Sequence, residues 1–138
     1  MAHSKFPVEI LSPEGQVFEG EVEMLSTRTT TGSIGVLAHH TPLLAILDPT
    51  ELRLYETANE VIRFAQGEGY LQVGFNRALM LVEEAHPPDD LDSAELQDKL
   101  KRAEQELEAA EEGSEARRVA ERDKRRWEAF LAVLEESR

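Results

Sequence analysis

The hydrophobic residues of this chain repeat with one period up to residue 85 and with another beyond residue 89. Up to Ala85 they mostly alternate with polar residues, in short runs separated by turn-forming segments such as Ser-Pro-Glu-Gly at 12–15 and Thr-Gly-Ser at 31–33. Alternation of this kind is typical of strands that bury one face, and roughly eight such strands fit into the segment. The sequence therefore predicts an all-β sandwich or barrel over residues 1–88.

Beyond Asp89 the hydrophobic residues are spaced by alternating steps of four and three, which places their side chains on one stripe of a helix. Asp92 is the predicted N-cap of a first helix, with Glu95 three residues later. Gly113 is predicted to end that helix, and Ser114 to cap a second one. The predicted stripes consist of Leu96, Leu100, Ala103, Leu107 and Ala110 in the first helix, and of Ala116, Ala120, Trp127, Leu131 and Leu134 in the second, where Phe130 lies beside the stripe and Asp123 interrupts it.

The short connection makes the two helices antiparallel neighbours, so residues 89–138 are predicted to form an α-helical hairpin. Several seam residues are alanines, which contribute well under the roughly 1.5 to 3 kcal/mol of a buried Leu or Phe. Such a hairpin is only marginally stable unless it packs on something else. Two arrangements are compatible with the pattern: a rigid hairpin clamped on the sandwich, and a hairpin that exchanges between this position and another.

The charge of the chain limits its partners. The formal net charge is −13, with 28 acidic and 15 basic residues. Binding to nucleic acid is not expected, because it needs Lys and Arg to neutralise phosphates. No cysteine is present, which excludes disulfides and thiolate metal sites. The sequence shows no signal-peptide pattern and no apolar run of membrane-spanning length, so any membrane association is expected to go through a protein partner rather than direct insertion.

One segment combines many constrained positions. Residues 32–47 read Gly-Ser-Ile-Gly-Val-Leu-Ala-His-His-Thr-Pro-Leu-Leu-Ala-Ile-Leu, with two glycines around a short strand, a His-His-Thr-Pro break and an apolar run. This order resembles the Gly-x-x-Gly-[IV]-x-x-x-His-x-Pro-Leu-Leu-x-x-Leu signature of the epsilon subunit of F-type ATP synthase, which is called delta in mitochondria. Two further segments are similar to the same family in the same order: a predicted first hairpin at 7–23 and a predicted closing hairpin at 67–82.

The resemblance implies a non-catalytic subunit of a rotating central stalk rather than an enzyme. In the family, the sandwich binds the gamma subunit and sits on the membrane-embedded c-ring, so that ring rotation reaches the alpha and beta subunits of the catalytic head. By this resemblance the chain would work at the cytoplasmic face of the bacterial plasma membrane. The candidate residues for the gamma and c-ring side are Gly32, Ser33, Ile34, Gly35, His40, Thr41, Pro42 and Leu43. Many bacterial members have an acidic residue where this chain has Ser33, so a charge-assisted ring contact does not carry over to that position.

The second predicted helix carries five arginines in a short stretch, here called the basic cluster: Arg117, Arg118, Arg122, Arg125 and Arg126. Taken by itself, such a cluster is usually a solvated face with local ion pairs, each worth only tenths of a kcal/mol. In the family, this helix meets an acidic stretch of the catalytic beta subunits when the hairpin extends along gamma and hinders ATP hydrolysis. The resemblance therefore implies that the basic cluster contacts the catalytic head.

No catalytic, metal or cofactor site is expected. The sequence has no nucleophile elbow, P-loop or Rossmann fingerprint, and His39 and His40 project to opposite sides of an extended chain, unlike a pair of metal ligands. Some bacterial epsilon subunits bind ATP through an [IL]-Asp-x-x-Arg-Ala motif. The corresponding residues 115–120 here read Glu-Ala-Arg-Arg-Val-Ala, without the Asp or the motif Arg. ATP binding is therefore expected to be weak or absent.

Two other classes of protein remain compatible with the residues. A free-standing nucleotide or anion sensor would use the basic cluster without a complex. A sandwich adaptor with a coiled-coil tail would expose aromatic residues on one sheet face. The aromatic residues here are instead scattered, and most of them occupy positions expected in a core: Phe6, Phe18, Tyr55, Phe64, Tyr70 and Phe75.

Overall fold

The structure, a computed structural model, describes residues 3–136. These residues form ten strands, a 3-10 helix at Pro88–Asp90 and two α-helices, α1 at Ser93–Ala109 and α2 at Glu115–Glu136. The strands are β1 Phe6–Ser12, β2 Gly15–Val22, β3 Met24–Thr29, β4 Gly32–Leu37, β5 Leu43–Leu47, β6 Thr50–Tyr55, β7 Val61–Gln66, β8 Gly69–Gly74, β9 Arg77–Val82 and β10 Ala85–His86. The predicted β domain followed by a two-helix hairpin is confirmed, with ten strands where alternation suggests roughly eight.

Hydrogen bonding runs through the strands in the order β10-β7-β6-β3-β5-β8-β9-β1-β2, with β4 paired to β3. The paired strands are antiparallel except for β1 and β9, which are parallel. β3 links the two halves of the sandwich, because its residues 24–26 pair with β6 whereas Thr29 at its end pairs with Leu47 of β5. The first hairpin, β1–β2, and the closing hairpin, β8–β9, are both formed as predicted.

The core of the sandwich consists of the inward-facing residues of the alternating runs. In β1, for example, Phe6, Val8 and Ile10 are buried while Pro7 between them is exposed. Burying a side chain of this size stabilises the fold by roughly 1.5 to 3 kcal/mol. The other buried members of this cluster are Val22, Leu25, Val36, Leu47, Leu52, Leu54, Phe64, Leu71, Val73, Ala78, Met80 and Val82.

Both helices begin where the sequence predicts. Asp92 Oδ1 accepts hydrogen bonds from the backbone N–H groups of Ala94 (2.9 Å) and Glu95 (3.3 Å). Ser114 Oγ accepts one from the N–H of Arg117 (3.1 Å). These caps satisfy N–H groups of the first helical turn that have no partner within the helix.

The end of α1 differs from the prediction. The C-cap of α1 is Ala110, in an extended conformation, rather than Gly113. Gly113 has a φ of 76° and lies in the turn directly before Ser114. The left-handed conformation that favours glycine is therefore needed where the chain turns into α2, not where α1 ends.

The helical hairpin lies folded on the sandwich, because α2 contacts both α1 and strands β6 and β7. Phe130 and Val133 of α2 are buried in a cluster with Ala65 of β7 and Leu96 of α1. The predicted stripe describes only part of this packing, since Trp127, Leu131 and Leu134 are half-buried and Ala116 is exposed. A helix that packs on two neighbours buries two adjacent faces, which a single stripe does not capture.

Candidate partner-binding surfaces

The predicted residues 32–35 lie at the β3–β4 turn and along β4. Thr29 Oγ1 donates a hydrogen bond to the carbonyl oxygen of Gly32 (3.0 Å), which closes the turn. Gly32 has a φ of 139°, a conformation that side chains disfavour. Ser33 is exposed, whereas Ile34 packs partly against the core. The turn therefore presents Ser33 and backbone to solvent rather than a large side chain.

Of the predicted residues 40–43, the first three belong to the connection between β4 and β5, and Leu43 is the first residue of β5. His39, just before them, has a φ of 64°, and its N–H donates a hydrogen bond to Asn76 Oδ1 in the β8–β9 turn (2.6 Å). His40 Nδ1 lies 2.6 Å from the carbonyl oxygen of Thr41. The connection is therefore tied to the β8–β9 turn.

The two predicted segments lie at opposite ends of β4. This strand has six residues, and the five steps of about 3.3 Å between them separate its first and last residues by about 17 Å. A groove of about 430 Å³ is lined by residues 29–34 and 43–46. Ile34 and Leu43 both line this groove, so of the second segment only Leu43 shares a surface with the first.

Sequence reasoning missed an exposed apolar strip on the outer face of β5, β8 and β9. Its four members are exposed to the extent of 73%, 56%, 55% and 46%: Leu44, Ile46, Tyr70 and Leu81. Ile46 lies opposite Tyr70, and Tyr70 lies opposite Leu81, in the antiparallel register. Residues opposite each other on neighbouring strands point to the same face. A contiguous apolar surface of this kind is a candidate for interaction with a partner.

Tyr70 and Phe75 are exceptions to the expectation that most aromatic residues occupy core positions, because both side chains are exposed. Tyr70 precedes the buried Leu71 in β8, so it points to the outer face, as Gln72 also does. Phe75 is fully exposed in the two-residue β8–β9 turn, where it and the next residue have positive φ. The sequence does contain one indication of the exposed strip, which is the run at 43–47. Every residue of this run is apolar, although a strand that is exposed on one side buries only alternate residues.

The basic cluster of α2 is only partly available to a partner in this arrangement. Arg118 and Arg125 are its most exposed side chains. A hydrogen bond from Arg118 to Glu115 lowers the pKa of Glu115 below its usual value and raises that of Arg118. The guanidinium of Arg125 stands 3.9 Å from Asp48 and 3.8 Å from Glu68 of the sandwich.

The other three arginines of the cluster turn towards the chain itself. Arg117 Nη1 donates a hydrogen bond to a carbonyl oxygen near the end of α1 (3.3 Å). Arg122 Nε lies 4.0 Å from Asp123 Oδ1. Arg126 is largely buried and pairs with Glu84 of the sandwich and with Asp123. The structure therefore does not bring the five arginines together on one open surface.

A second charged group ties the C-terminal part of α2 to β6 and β7. Glu51 forms ion pairs with both Arg63 and Arg53. Burial raises the pKa of Glu51, but hydrogen bonds from these two arginines outweigh burial and hold the pKa below its usual value. Arg63 Nη2 donates a hydrogen bond to the carbonyl oxygen of Val133 (3.3 Å), and Arg53 Nη2 lies 3.2 Å from Glu136 Oε2.

Neither a metal site nor a membrane-spanning helix is found within residues 3–136. No group of three or more His, Asp and Glu side chains in that range could hold a metal ion. None of the helices in that range combines the length and the apolar character that crossing a bilayer requires.

Comparison of whole folds shows similarity to chains of two mitochondrial complexes. The chain matches one in the Euglena gracilis mitochondrial ATP synthase, described as OSCP/F1/c-ring, with a TM-score of 0.82 and 20% identity over 94% of this chain and 81% of that chain. It matches one in the Tetrahymena thermophila mitochondrial ATP synthase, described as central stalk/c-ring, with a TM-score of 0.61 and 16% identity over 96% and 98% of the two chains. At these identities the likeness concerns the fold alone.

Comparison of sequences identifies the family. The chain is 33% identical over 102 residues to the ATP synthase epsilon chain of Clostridium novyi, covering 74% of this chain and 78% of the relative. It is 35% identical over 106 residues to that of Persephonella marina, covering 77% and 78%. The family model described as "ATP synthase, Delta/Epsilon chain, beta-sandwich domain" matches residues 5–88, which is the whole sandwich. This chain therefore belongs to the delta/epsilon family of F-type ATP synthase subunits.

Proposed function

We propose that this chain is a non-catalytic subunit of the rotating central stalk of a bacterial F-type ATP synthase. In this role it binds the gamma subunit and the c-ring and couples ring rotation to the alpha and beta subunits of the catalytic head. The observation that carries the proposal is the family match over residues 5–88. Under this proposal the chain works at the cytoplasmic face of the plasma membrane and is held there by protein contacts.

The apolar strip is the surface best suited to a permanent partner such as gamma. Burying a large apolar side chain in a contact contributes up to roughly 1.5 to 3 kcal/mol. Leu44 and Ile46 of the strip also line the groove between β4 and β5, together with Gly32, Ile34 and Leu43. The strip and these three candidate residues therefore form one continuous surface, which we assign to gamma.

The c-ring is proposed to contact one end of the sandwich. One end carries Gly32 and Ser33, and the other carries the connection at 40–42 together with Phe75. Because β4 holds these ends apart by about 17 Å, a flat contact with the ring engages only one of them.

The helical hairpin is proposed to hinder ATP hydrolysis after it leaves the sandwich. In the folded position Arg117 and Arg126 bond within the chain. Release of the hairpin would free Arg126 for an acidic partner on the catalytic head. The modest apolar contact around Phe130 and Val133 supports a hairpin that exchanges between two positions.

ATP is proposed to bind this chain weakly or not at all. Residues 115–120 lack the Asp and the Arg of the family's nucleotide motif. Arg117 and Arg118, which lie inside this segment, bond to α1 and to Glu115 instead.

Assembly with a catalytic complex that lacks its own epsilon subunit tests the proposed role. The purified full-length chain is expected to bind a gamma-containing complex and to remain with it during size-exclusion chromatography. A chain that stays free, under conditions in which the epsilon subunit of a relative binds, would contradict the proposal.

A further inference from the structure

One group of charged side chains lies inside the contact between α2 and the sandwich. Arg126 Nη1 is 2.6 Å from Oε2 of Glu84, which lies between β9 and β10. Arg126 Nη2 is 2.8 Å from Oδ1 of Asp123, one turn earlier in α2. The side chains of Arg126, Glu84 and Asp123 are only 17, 23 and 22% exposed. At this point the helix meets the sandwich through ions rather than through apolar side chains.

These charges occupy the stripe of α2 that packs on the sandwich. The steps from Val119 to Asp123, Arg126, Phe130 and Val133 are four, three, four and three residues, which puts all five on one helical face. Phe130 and Val133 are buried there in the cluster that includes β7. The two positions before them hold an acid and a base, so the seam has a polar break.

The surroundings hold Arg126 in the interface. Its guanidinium carbon lies 4.4 Å from the centre of the Trp127 ring, and Lys99 Nζ of α1 lies 4.7 Å from the same ring. A cation over an aromatic ring is attracted to its face. On the sandwich side, His86 Nε2 lies 2.9 Å from the second oxygen of the carboxylate that Arg126 contacts, and the His86 ring packs edge-on against Phe130.

A largely buried ion pair defines the geometry of a contact more effectively than it stabilises the contact. Removing charges from water is expensive, and the pairing recovers this energy only when every polar atom finds a partner. Arg126 Nε is buried and has no hydrogen-bond partner among the residues that the structure describes. The compensation is therefore incomplete, which leaves a docked state that a partner can reverse.

We propose that Arg126, Glu84 and Asp123 form a latch that fixes the register in which the helical hairpin docks and sets its docking equilibrium. Removing Arg126 takes from Glu84 and Asp123 the cation that they share, and removing Glu84 leaves Arg126 with Asp123 and with the more exposed Glu83, whose Oε2 lies 3.7 Å from Arg126 Nη1. Either change leaves largely buried charges less well compensated, so the docked state loses more than the pair itself contributes. On release, Arg126 joins the exposed Arg118 and Arg125 as a charge available to a partner. A regulatory effect of the latch rests on the proposed inhibitory role of the hairpin. The docking contact that the latch makes does not depend on that role.

A distance measurement by pulsed EPR on the isolated full-length chain tests the latch. The chain has no cysteine, so Asn59→Cys in the β6–β7 turn and Ala132→Cys on α2, both at exposed positions, allow specific spin labelling. A docked hairpin gives one defined distance, and a released hairpin gives a broad distribution. A urea series below the unfolding of the sandwich brings both populations into a measurable range.

Arg126→Gln and Glu84→Gln are each expected to lower the ratio of docked to released chains about tenfold. The control Arg118→Gln removes the same charge from an exposed position of α2 and is expected to change the ratio less than about twofold. The double variant Glu84→Gln with Arg126→Gln is expected to lose little more than either single variant, because each single change already breaks the contact between Arg126 and Glu84, which the second change cannot break again.

Two results would overturn the latch: a ratio for Arg126→Gln equal to that of Arg118→Gln, or single effects of Glu84→Gln and Arg126→Gln that simply multiply in the double variant. The Glu84→Gln variant probes the contact from the sandwich side, so the test does not depend on α2 tolerating a change at Arg126. Because the isolated chain needs no other subunit, the result is independent of whether the chain assembles into an ATP synthase.

Discussion

Ile46 of β5 lies directly opposite Tyr70 of β8, and both side chains point away from the core. Leu81 of β9 is opposite Tyr70 on its other side, so the three side chains form a row across three strands. The inner faces of the same strands are apolar as well, with Leu71 and Met80 buried. An exposed apolar row on the outer side of an apolar inner face is a candidate contact surface for a partner.

Replacing Ile46 with Asp is expected to weaken binding to the gamma subunit about tenfold or more, because the carboxylate would be buried without a partner in the contact. The free energy of unfolding is expected to fall by only about 1 kcal/mol, because Ile46 is exposed in the free chain and its replacement costs strand propensity and the pairing with Tyr70. Calorimetric titration against gamma measures the first quantity, and urea unfolding measures the second. Val61→Asp is the matched control, because Val61 is an exposed apolar residue on β7 outside the strip. Equal affinities of the two variants would contradict the assignment of the strip to gamma.

Ionised Glu51 is expected to stabilise the folded chain at pH values above the usual titration range of a Glu carboxyl. This stabilisation is expected to be lost in acid. Burial raises the pKa of Glu51, but Arg63 and Arg53 together lower it by more than burial raises it. The pKa of Glu51 in the folded chain is therefore below the usual 4.5. A group with a lowered folded-state pKa stabilises the fold above its unfolded pKa and loses that contribution as the pH falls through the folded value.

The difference in unfolding free energy between wild type and Glu51→Gln is therefore expected to be constant well above the usual titration range of a Glu carboxyl and to shrink as the pH falls through and below that range. Urea unfolding over this range measures it, with Glu14→Gln, at an exposed position between β1 and β2, as the control. A difference that does not vary with pH would show that the two arginines do not act on Glu51 in this way.

Gly69→Ala is expected to lower the free energy of unfolding by about 1 to 3 kcal/mol through overpacking. A Cβ at Gly69 would lie 2.7 Å from Val82 Cα and would also meet the carbonyl group of Leu81. The control is Gly35→Ala, where a Cβ meets nothing within 4 Å and the expected change is below about 0.5 kcal/mol. Urea unfolding compares the two variants, and equal stabilities would contradict the close approach of β8 and β9.

Calorimetric titration of the isolated chain with ATP is expected to show no binding in the micromolar range. The segment at 115–120 lacks both motif residues, and Arg118 is paired with Glu115. The matched variant carries Ala116→Asp and Val119→Arg, which restore the two residues and are expected to increase the affinity. Micromolar affinity of the unchanged chain would overturn the expectation and would point to a different set of binding residues.

The elements of this fold could be predicted from the sequence because their signals are local. Alternation defines the strands, and steps of four and three define the helices. The caps at Asp92 and Ser114 depend on backbone groups only two or three residues away. The end of α1 was predicted wrongly because Gly113 lies in the turn into α2. A glycine in the sequence does not show whether it ends one helix or lies in the turn before the next.

The surfaces could be predicted only in part because they depend on pairing between distant segments. The run at 43–47 is apolar throughout, so only its register with β8 shows that Leu44 and Ile46 face outwards. Arg126 and Glu84 are separated by 42 positions, and their contact depends on where α2 crosses the sandwich. The spacing of residues within α2 shows that a basic cluster exists. It does not show which arginine of the cluster forms an ion pair with the sandwich.

ATP hydrolysis by a catalytic complex reconstituted with the full-length chain, or with a chain that ends after Pro88, tests most directly whether this protein is a regulatory subunit of a rotary ATP synthase. Both chains are expected to assemble, because the strip and the groove lie in the sandwich, and removal of the hairpin is expected to raise the hydrolysis rate. Equal rates in the two assembled complexes would contradict the inhibitory role of the hairpin. Failure of both chains to join the complex would contradict the subunit role itself.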